Sequence, residues 1–264
     1  MQNKNNQKNK LPIFILGCQR SGTSLLRRIF DSHTNIACPP ESGFIVQLAG
    51  VYENERSIQC LESMGFTKQQ VLDEMRSFTT HFFYDYAARK GKNRWADKTP
   101  HYVNHAETID NMFGGKVLYI GVVRHGLDVA CSLCDYEWGI LKPYMADGID
   151  KPIAAVRFWR DQNLKLVEFK KKAEGRFHLI KYEDLTTDPE TVLRKAFRYI
   201  DEPWEDSVLD FNSHQHDAGF EDPKITKLSK IESNSGNYKK WPAELQEKLF
   251  LEAQDVFEHY GYKI

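Results

Sequence analysis

Apolar residues along the chain fall into two kinds of run. Short unbroken stretches rich in Ile, Val, Leu and Phe occupy residues 12–17, 116–123 and 177–181, with a shorter candidate at 94–98. None alternates apolar with polar, so each predicts a strand buried on both faces and not one half open to water. The second kind has helical spacing. Asp188-Pro189-Glu190 supplies a cap, a proline at the first helical position and a first-turn acid, and Val192, Leu193, Ala196, Phe197 and Ile200 follow on one face. A last helix is expected from Pro242, with the stripe Leu245, Leu249, Ala253, Val256 and Tyr260 and with Gly261 as its C-terminal cap. Residues 43–90 lack strand signals and read as two or three inserted helices. Buried strands separated by helices imply an α/β fold in three layers: a central, mostly parallel sheet flanked by helices, with a helical insertion.

Composition narrows the partners. The chain has 264 residues, 41% of them hydrophobic, enough for one domain over residues 11–264 behind a polar, flexible tail at 1–10. Lys and Arg total 36 against 37 Asp and Glu, a formal charge of -1, so no global basic field attracts nucleic acid. Any anionic ligand must be held by local chemistry. No apolar run approaches the roughly 20 residues of a membrane span, and the run at 11–16 is shorter than the core of a secretory signal. Five cysteines, an odd number in a long chain, argue for a reducing compartment and a cytoplasmic location. Cys131 and Cys134 form a C-x-x-C pattern inside an expected helix and read as packing. Oligomeric state is not legible.

The most informative segment is Ile13-Phe-Ile-Leu-Gly-Cys-Gln-Arg-Ser-Gly-Thr-Ser-Leu-Leu. A strand ending at Gly17, a loop with a second glycine at position 22 and a helix from about Thr23 aim backbone N–H groups at one point, which makes an anion site. The spacing G-x-x-x-x-G-T-S differs by one residue from the nucleotide-triphosphate loop: Thr23 stands where a kinase or ATPase carries lysine, and the cation, Arg20, lies inside the loop. The fold expected is therefore P-loop-like. A plain strand-to-helix turn, a small-molecule or nucleotide kinase and a non-catalytic nucleotide-binding module are the alternatives. Cys18-Gln-Arg-Ser-Gly-Thr-Ser24 resembles the 5′-phosphosulfate loop of sulfotransferases that use 3′-phosphoadenosine 5′-phosphosulfate (PAPS), with Gln19 in place of a common proline.

Three further segments carry the same resemblance in the same order. Val117-Leu-Tyr-Ile-Gly-Val-Val-Arg-His-Gly-Leu-Asp-Val-Ala-Cys-Ser132 puts Arg124 at a strand end, where ligands of open α/β sheets bind, and resembles the 3′-phosphate motif with Arg124 and Ser132 as ligands. Lys181-Tyr-Glu-Asp-Leu185 resembles the family's [RK]-Y-E-D-L, implying Tyr182 at the nucleotide edge and Glu183 and Asp184 ordering the turn. Residues 224–240 contain five lysines (224, 227, 230, 239, 240) and one acid, Glu232, for a local balance of +4. Within them Ser233-Asn-Ser-Gly-Asn-Tyr-Lys-Lys-Trp241 resembles the cofactor-covering loop, implying Ser233, Asn237, Lys239 and Lys240 on the nucleotide; a solvated lysine face is the alternative. The resemblance runs from about Leu11 to Tyr262.

What the resemblance implies is transfer of a sulfuryl group from PAPS, leaving adenosine 3′,5′-bisphosphate (PAP), to an acceptor hydroxyl on a glycan, peptide or small molecule. Arg20, Ser21, Gly22, Thr23 and Ser24 would share the sulfonate and 5′-phosphate. Pro39-Pro-Glu-Ser42 resembles the P-E-[ST] segment of tyrosylprotein and related sulfotransferases, which implies Glu41 as general base. Asp97-Lys-Thr-Pro100 resembles the family's [DN]-K-[DT]-P, which implies Lys98 on the leaving phosphate. Pro100 occupies the position where cytosolic enzymes carry a catalytic histidine, and His101 next to it is the second candidate base. The scheme requires no metal. His214, His216 and Asp217 are read as surface, and Phe82, Phe83, Tyr84 and Tyr86 as helix core, with acceptor binding as the alternative.

Overall fold

The computed structural model describes residues 10–137, 139–145, 148–222 and 224–264; the tail expected at 1–10 lies, apart from Lys10, outside them. The apolar runs form strands: β1 (Ile13–Gly17), β2 (Ile36–Ala37), β3 (Arg94–Lys98), β4 (Leu118–Val123) and β5 (Phe177–Lys181). They make one sheet of order β2-β3-β1-β4-β5, with every neighbouring pair parallel. Strand ends differ from expectation by one residue before β1 and two before β4.

Between the strands run α1 (Thr23–Asp31), then α2 (Phe44–Glu53), α3 (Glu55–Ser63) and α4 (Lys68–Arg89), then α5 (Ala106–Met112) and α6 (Gly126–Cys134). Beyond them lie α7 (Lys151–Lys172), α8 (Tyr182–Thr187), α9 (Pro189–Tyr199), α10 (Ala243–Leu251) and α11 (Gln254–Tyr260). The insertion at 43–90 is thus three helices. Among the described residues no helix is long and apolar enough to cross a membrane.

Strand alternation builds the layers. Phe14, Leu16, Trp95 and Tyr119 face the insertion helices with α5 and α7, while Ile13, Ile15, Ala96, Ile120 and Val122 face α1 and α9. A third cluster joins α6, α7, α10 and α11, and includes Cys131 with Cys134 packed against it. Arg27, fully buried in α1, donates from Nε to the Pro39 carbonyl at 3.1 Å and so ties that helix to the segment after β2.

Three expectations are corrected. The C-terminal helix is two helices, because Ala253 leaves helical geometry (φ -139, ψ 28). The break brings Phe250 onto Phe257 at 4.7 Å, whereas seven residues of straight helix would hold them about 10 Å apart. Gly261 caps α11 at φ 70, as expected. Of the aromatic block in α4, Phe83 is buried, but Phe82 and Tyr84 are 50% and 44% exposed, since consecutive helical residues cannot share one face. His216 and Asp217 are not idle surface. The His216 ring lies 2.7 Å from the buried Asp31 carboxylate, and Asp217 accepts from Tyr86 at 2.8 Å and from Lys90 at 2.5 Å. They anchor the loop at 214–222 to α1 and α4.

Candidate active site

β1 is paired to β3 on one side and β4 on the other, so the chain reverses direction across the sheet there. A crevice opens outside the carboxyl ends of strands at such a point. The sequence candidates collect at these ends. The loop 18–24 follows β1, Glu41 lies four residues past β2, Lys98 ends β3, and Arg124 and Tyr182 are the first residues past β4 and β5.

The loop after β1 has the backbone an anion cradle needs. Gly22 caps α1 at φ 97, and a Cβ there would lie 2.6 Å from the Tyr182 ring, so only glycine fits. Arg20 holds φ 70, a conformation non-glycine residues adopt at a cost of about 1 kcal/mol or more. Thr23 opens α1, and the described loop carries no lysine. Ser21 is fully buried and its Oγ has no hydrogen-bond partner; Gln19, where proline was the family pattern, buries an unpartnered Oε1.

A cavity of about 720 Å³ lies over this loop, lined among others by Arg20, Gly22, Thr23, Ser24, Glu41, His101, Arg124, Tyr182 and Ser233. Lys98 is fully buried behind the lining, and its Nζ donates to two residues that do line the cavity, Glu41 Oε1 at 2.5 Å and Ser24 Oγ at 3.3 Å. The candidate base, the candidate acid and the helix N-terminus are therefore in one contact chain. His101 is exposed at the rim.

The other end of the cavity is built around Arg124. Its guanidinium lies 4.5 Å over the Tyr182 ring, donates from one amino group to the Arg20 carbonyl at 3.1 Å and from the other to the Asn234 carbonyl, and leaves a buried Nε without a partner. Burial raises the Tyr182 phenol above its ordinary range, so the ring faces the site un-ionised. The loop at 233–241 is held beside Arg124 by a residue the sequence reading missed. Asp128 accepts from the Gly236 and Asn237 amides, each at 2.8 Å, while Tyr238 stacks on His125 at 4.7 Å.

Some predicted ligands sit further back. Ser132 does not line the cavity; its hydroxyl accepts from Arg20 Nε at 2.9 Å and reaches the site through that side chain. The Asn237 amide turns to Asn234, and Lys239 and Lys240 are exposed outside the cavity lining; of the lysine run, Lys224 lines it.

Two acids that went unread fill the opposite wall. Asp222 pairs with Arg20 at 2.7 Å, and Glu221 pairs with Arg28 at 2.5 Å and Arg27 at 3.5 Å. Their only sequence signal is an acidic pair entering a lysine-rich stretch.

Asp97, beside Lys98, is fully buried, and burial lifts its carboxyl from the ordinary 3.8 to about 6. Because the folded state binds this proton more tightly than the unfolded chain, its contribution to stability falls as pH rises from about 4 through about 6. Urea unfolding of the wild type and Asp97→Asn should therefore show the wild type losing about 2 kcal/mol relative to the variant between pH 4.5 and 7.5. A pH-independent difference would place the Asp97 carboxyl in its ordinary range.

Comparison with known proteins agrees with this geometry. Residues 12–206, well over half of the chain, match the profile described as the sulfotransferase family. A protein-tyrosine sulfotransferase of Drosophila melanogaster is 26% identical over 234 residues, 84% of this chain and 43% of the relative, so the chain spans less than half of that protein's length. Among solved structures, the sulfotransferase domain from the curacin biosynthetic pathway has the same fold, with TM-score 0.69 at 21% identity over 97% of this chain and 99% of that one. Mouse sulfotransferase SULT7A1, solved in complex with PAP, gives TM-score 0.53 at 14% identity over 93% and 85% of the two chains. A five-stranded parallel sheet of this order, a glycine loop leading into α1 after its central strand and a profile match across that whole region lead to one assignment: the chain belongs to the sulfotransferase family.

Proposed function

We propose that residues 11–264 form one catalytic domain that moves a sulfuryl group from PAPS to an acceptor hydroxyl, with Glu41 as general base. The observation that carries this reading is the contact of the buried Lys98 Nζ with Glu41 at 2.5 Å and Ser24 at 3.3 Å, both of which line the cavity. An acid–base pair touching a phosphate loop suits in-line group transfer, where positioning and charge stabilisation do most of the catalysis.

The residues fit PAPS. The cavity over Gly22, Thr23 and Ser24 supports a 5′-phosphosulfate on this loop, and the unpartnered Nε of Arg124 supports a 3′-phosphate there. When bound, PAPS supplies the activated sulfuryl group. Glu41 would accept the acceptor's proton, and the Lys98 ammonium, already held by Glu41 and Ser24, would stabilise charge developing on the bridging oxygen. Arg20 neutralises the sulfonate side, sharing its guanidinium with Asp222 and Ser132. The PAP complex of the mouse neighbour supports the nucleotide, and the tyrosine-sulfating relative supports a hydroxyl acceptor. All five cysteines are free, which supports a reducing, cytoplasmic setting.

Thermal shift separates this reading from a kinase. PAP should stabilise the chain at concentrations where ATP–Mg²⁺ does not, because Thr23 replaces the lysine that reaches a γ-phosphate. Stabilisation by ATP–Mg²⁺ alone would overturn the proposal.

A further inference from the structure

Three consecutive residues at the end of β3 grip three consecutive residues of the turn before α2. Asp97 Oδ2 accepts from Ser42 Oγ at 2.7 Å, Lys98 Nζ donates to Glu41 at 2.5 Å, and the Thr99 hydroxyl accepts from the Gly43 amide at 3.4 Å. Neighbouring strand residues point to opposite faces, so the turn is held from both sides of the sheet. Tyr102 completes the grip: its hydroxyl lies 2.8 Å from Ser42 Oγ and also donates to Asp97 Oδ2. The far side of the same turn is fixed by the Glu41 amide, which donates to the Phe220 carbonyl at 2.9 Å.

Asp97 takes no part in the proposed chemistry and does not line the cavity. It is fully buried, its Oδ1 has no partner, and burial alone pushes its carboxyl upward. A buried carboxylate with one orphaned oxygen is an unfavourable way to fill a core position. Packing alone at this strand position, in register with Phe14, needs only an apolar residue, whereas the two hydroxyls of Ser42 and Tyr102 that converge on it need an acceptor.

We infer that Asp97 is a positioning residue: through Ser42, and with Tyr102 as brace, it holds the Glu41 carboxylate against Lys98 in the geometry from which Glu41 takes the acceptor proton. The inference rests on the reading of Glu41 as base. Asp97 and Ser42 act only through Glu41 and touch neither nucleotide nor acceptor. A shift of about 1 Å in a reacting group costs up to about 100-fold in rate, which sets the size of effect expected.

Asp97→Asn disturbs a buried site, so the decisive variant is Ser42→Ala, which removes one hydroxyl from a half-buried turn. The assay is single-turnover consumption of PAPS with water as acceptor. The sulfur–oxygen bond to the 5′-phosphate breaks, a bond to the water oxygen forms, the water proton passes to Glu41, and PAP and sulfate are released. Ser42→Ala should slow this step about 10- to 100-fold with PAP affinity by calorimetry unchanged, and Ser42→Thr should restore it. Combined with Glu41→Gln, Ser42→Ala should cost nothing further, because the residue it positions is gone. If Glu41→Gln is slow while Ser42→Ala matches the wild type, or if the two losses add, the positioning role is wrong and the base assignment stands. If Glu41→Gln itself matches the wild type, the base assignment fails and the inference falls with it.

Discussion

Lys98→Ala is expected to lower sulfuryl transfer from PAPS by about 100- to 1,000-fold while PAP affinity falls far less. The side chain is fully buried at the end of β3, and Glu41 and Ser24 hold its ammonium in place. A charge fixed in advance beside the breaking bond is worth far more there than in water, because nothing has to reorganise during transfer. In the proposed scheme ground-state binding draws mostly on the loop amides of 22–24 and on Arg124, which the substitution leaves untouched. Lys98→Met keeps most of the buried volume without the charge, so it should be as slow as the alanine variant; recovery in Lys98→Met would assign the loss to packing. Single-turnover rates and calorimetric PAP titrations on both variants give the answer. A normal rate in Lys98→Ala would remove Lys98 from the chemistry.

Arg124→Ala should act in the opposite way, on binding first. Loss of a charge-assisted contact to a phosphate costs about 1.5–3 kcal/mol, or roughly 10- to 150-fold in Kd for PAP. Adenosine 5′-monophosphate lacks the 3′-phosphate, so its Kd should rise much less. Arg124 also ties the Arg20 carbonyl to the Asn234 carbonyl, which predicts an added, smaller loss of order in the 233–237 loop common to both nucleotides. Calorimetry with the two ligands separates these effects. Equal losses for both would mean that Arg124 only braces the loops.

The sheet was legible because both-face burial leaves unbroken apolar runs, and β3 and β5 were placed to the residue. So were the strand-end positions of Arg124, Lys98 and Tyr182, since a ligand site at strand ends follows from parallel topology. What the sequence hid depends on contacts between distant segments. Asp128 reads as a first-turn acid of α6, and nothing local reveals that it holds the amides of residues 236 and 237. Asp222 and Glu221 stand near the lysine run, and their pairing with Arg20, Arg27 and Arg28 appears only once the 214–222 loop lies across α1. Ser132 was placed correctly on α6 by spacing, yet whether its hydroxyl faces a ligand or Arg20 is a matter of side-chain packing. The lysines at 239 and 240 show the limit of charge counting, because a local excess of cations gives no direction for any one of them.

If one cavity holds PAPS with its two phosphate ends at residues of different strands, a crystal structure of the chain with PAP will show both ends in place. The 5′-phosphate should lie on the Gly22–Ser24 amides within hydrogen-bond reach of Lys98, and the 3′-phosphate on Arg124. PAP bound elsewhere, or bound with its 3′-phosphate away from Arg124, would contradict this placement.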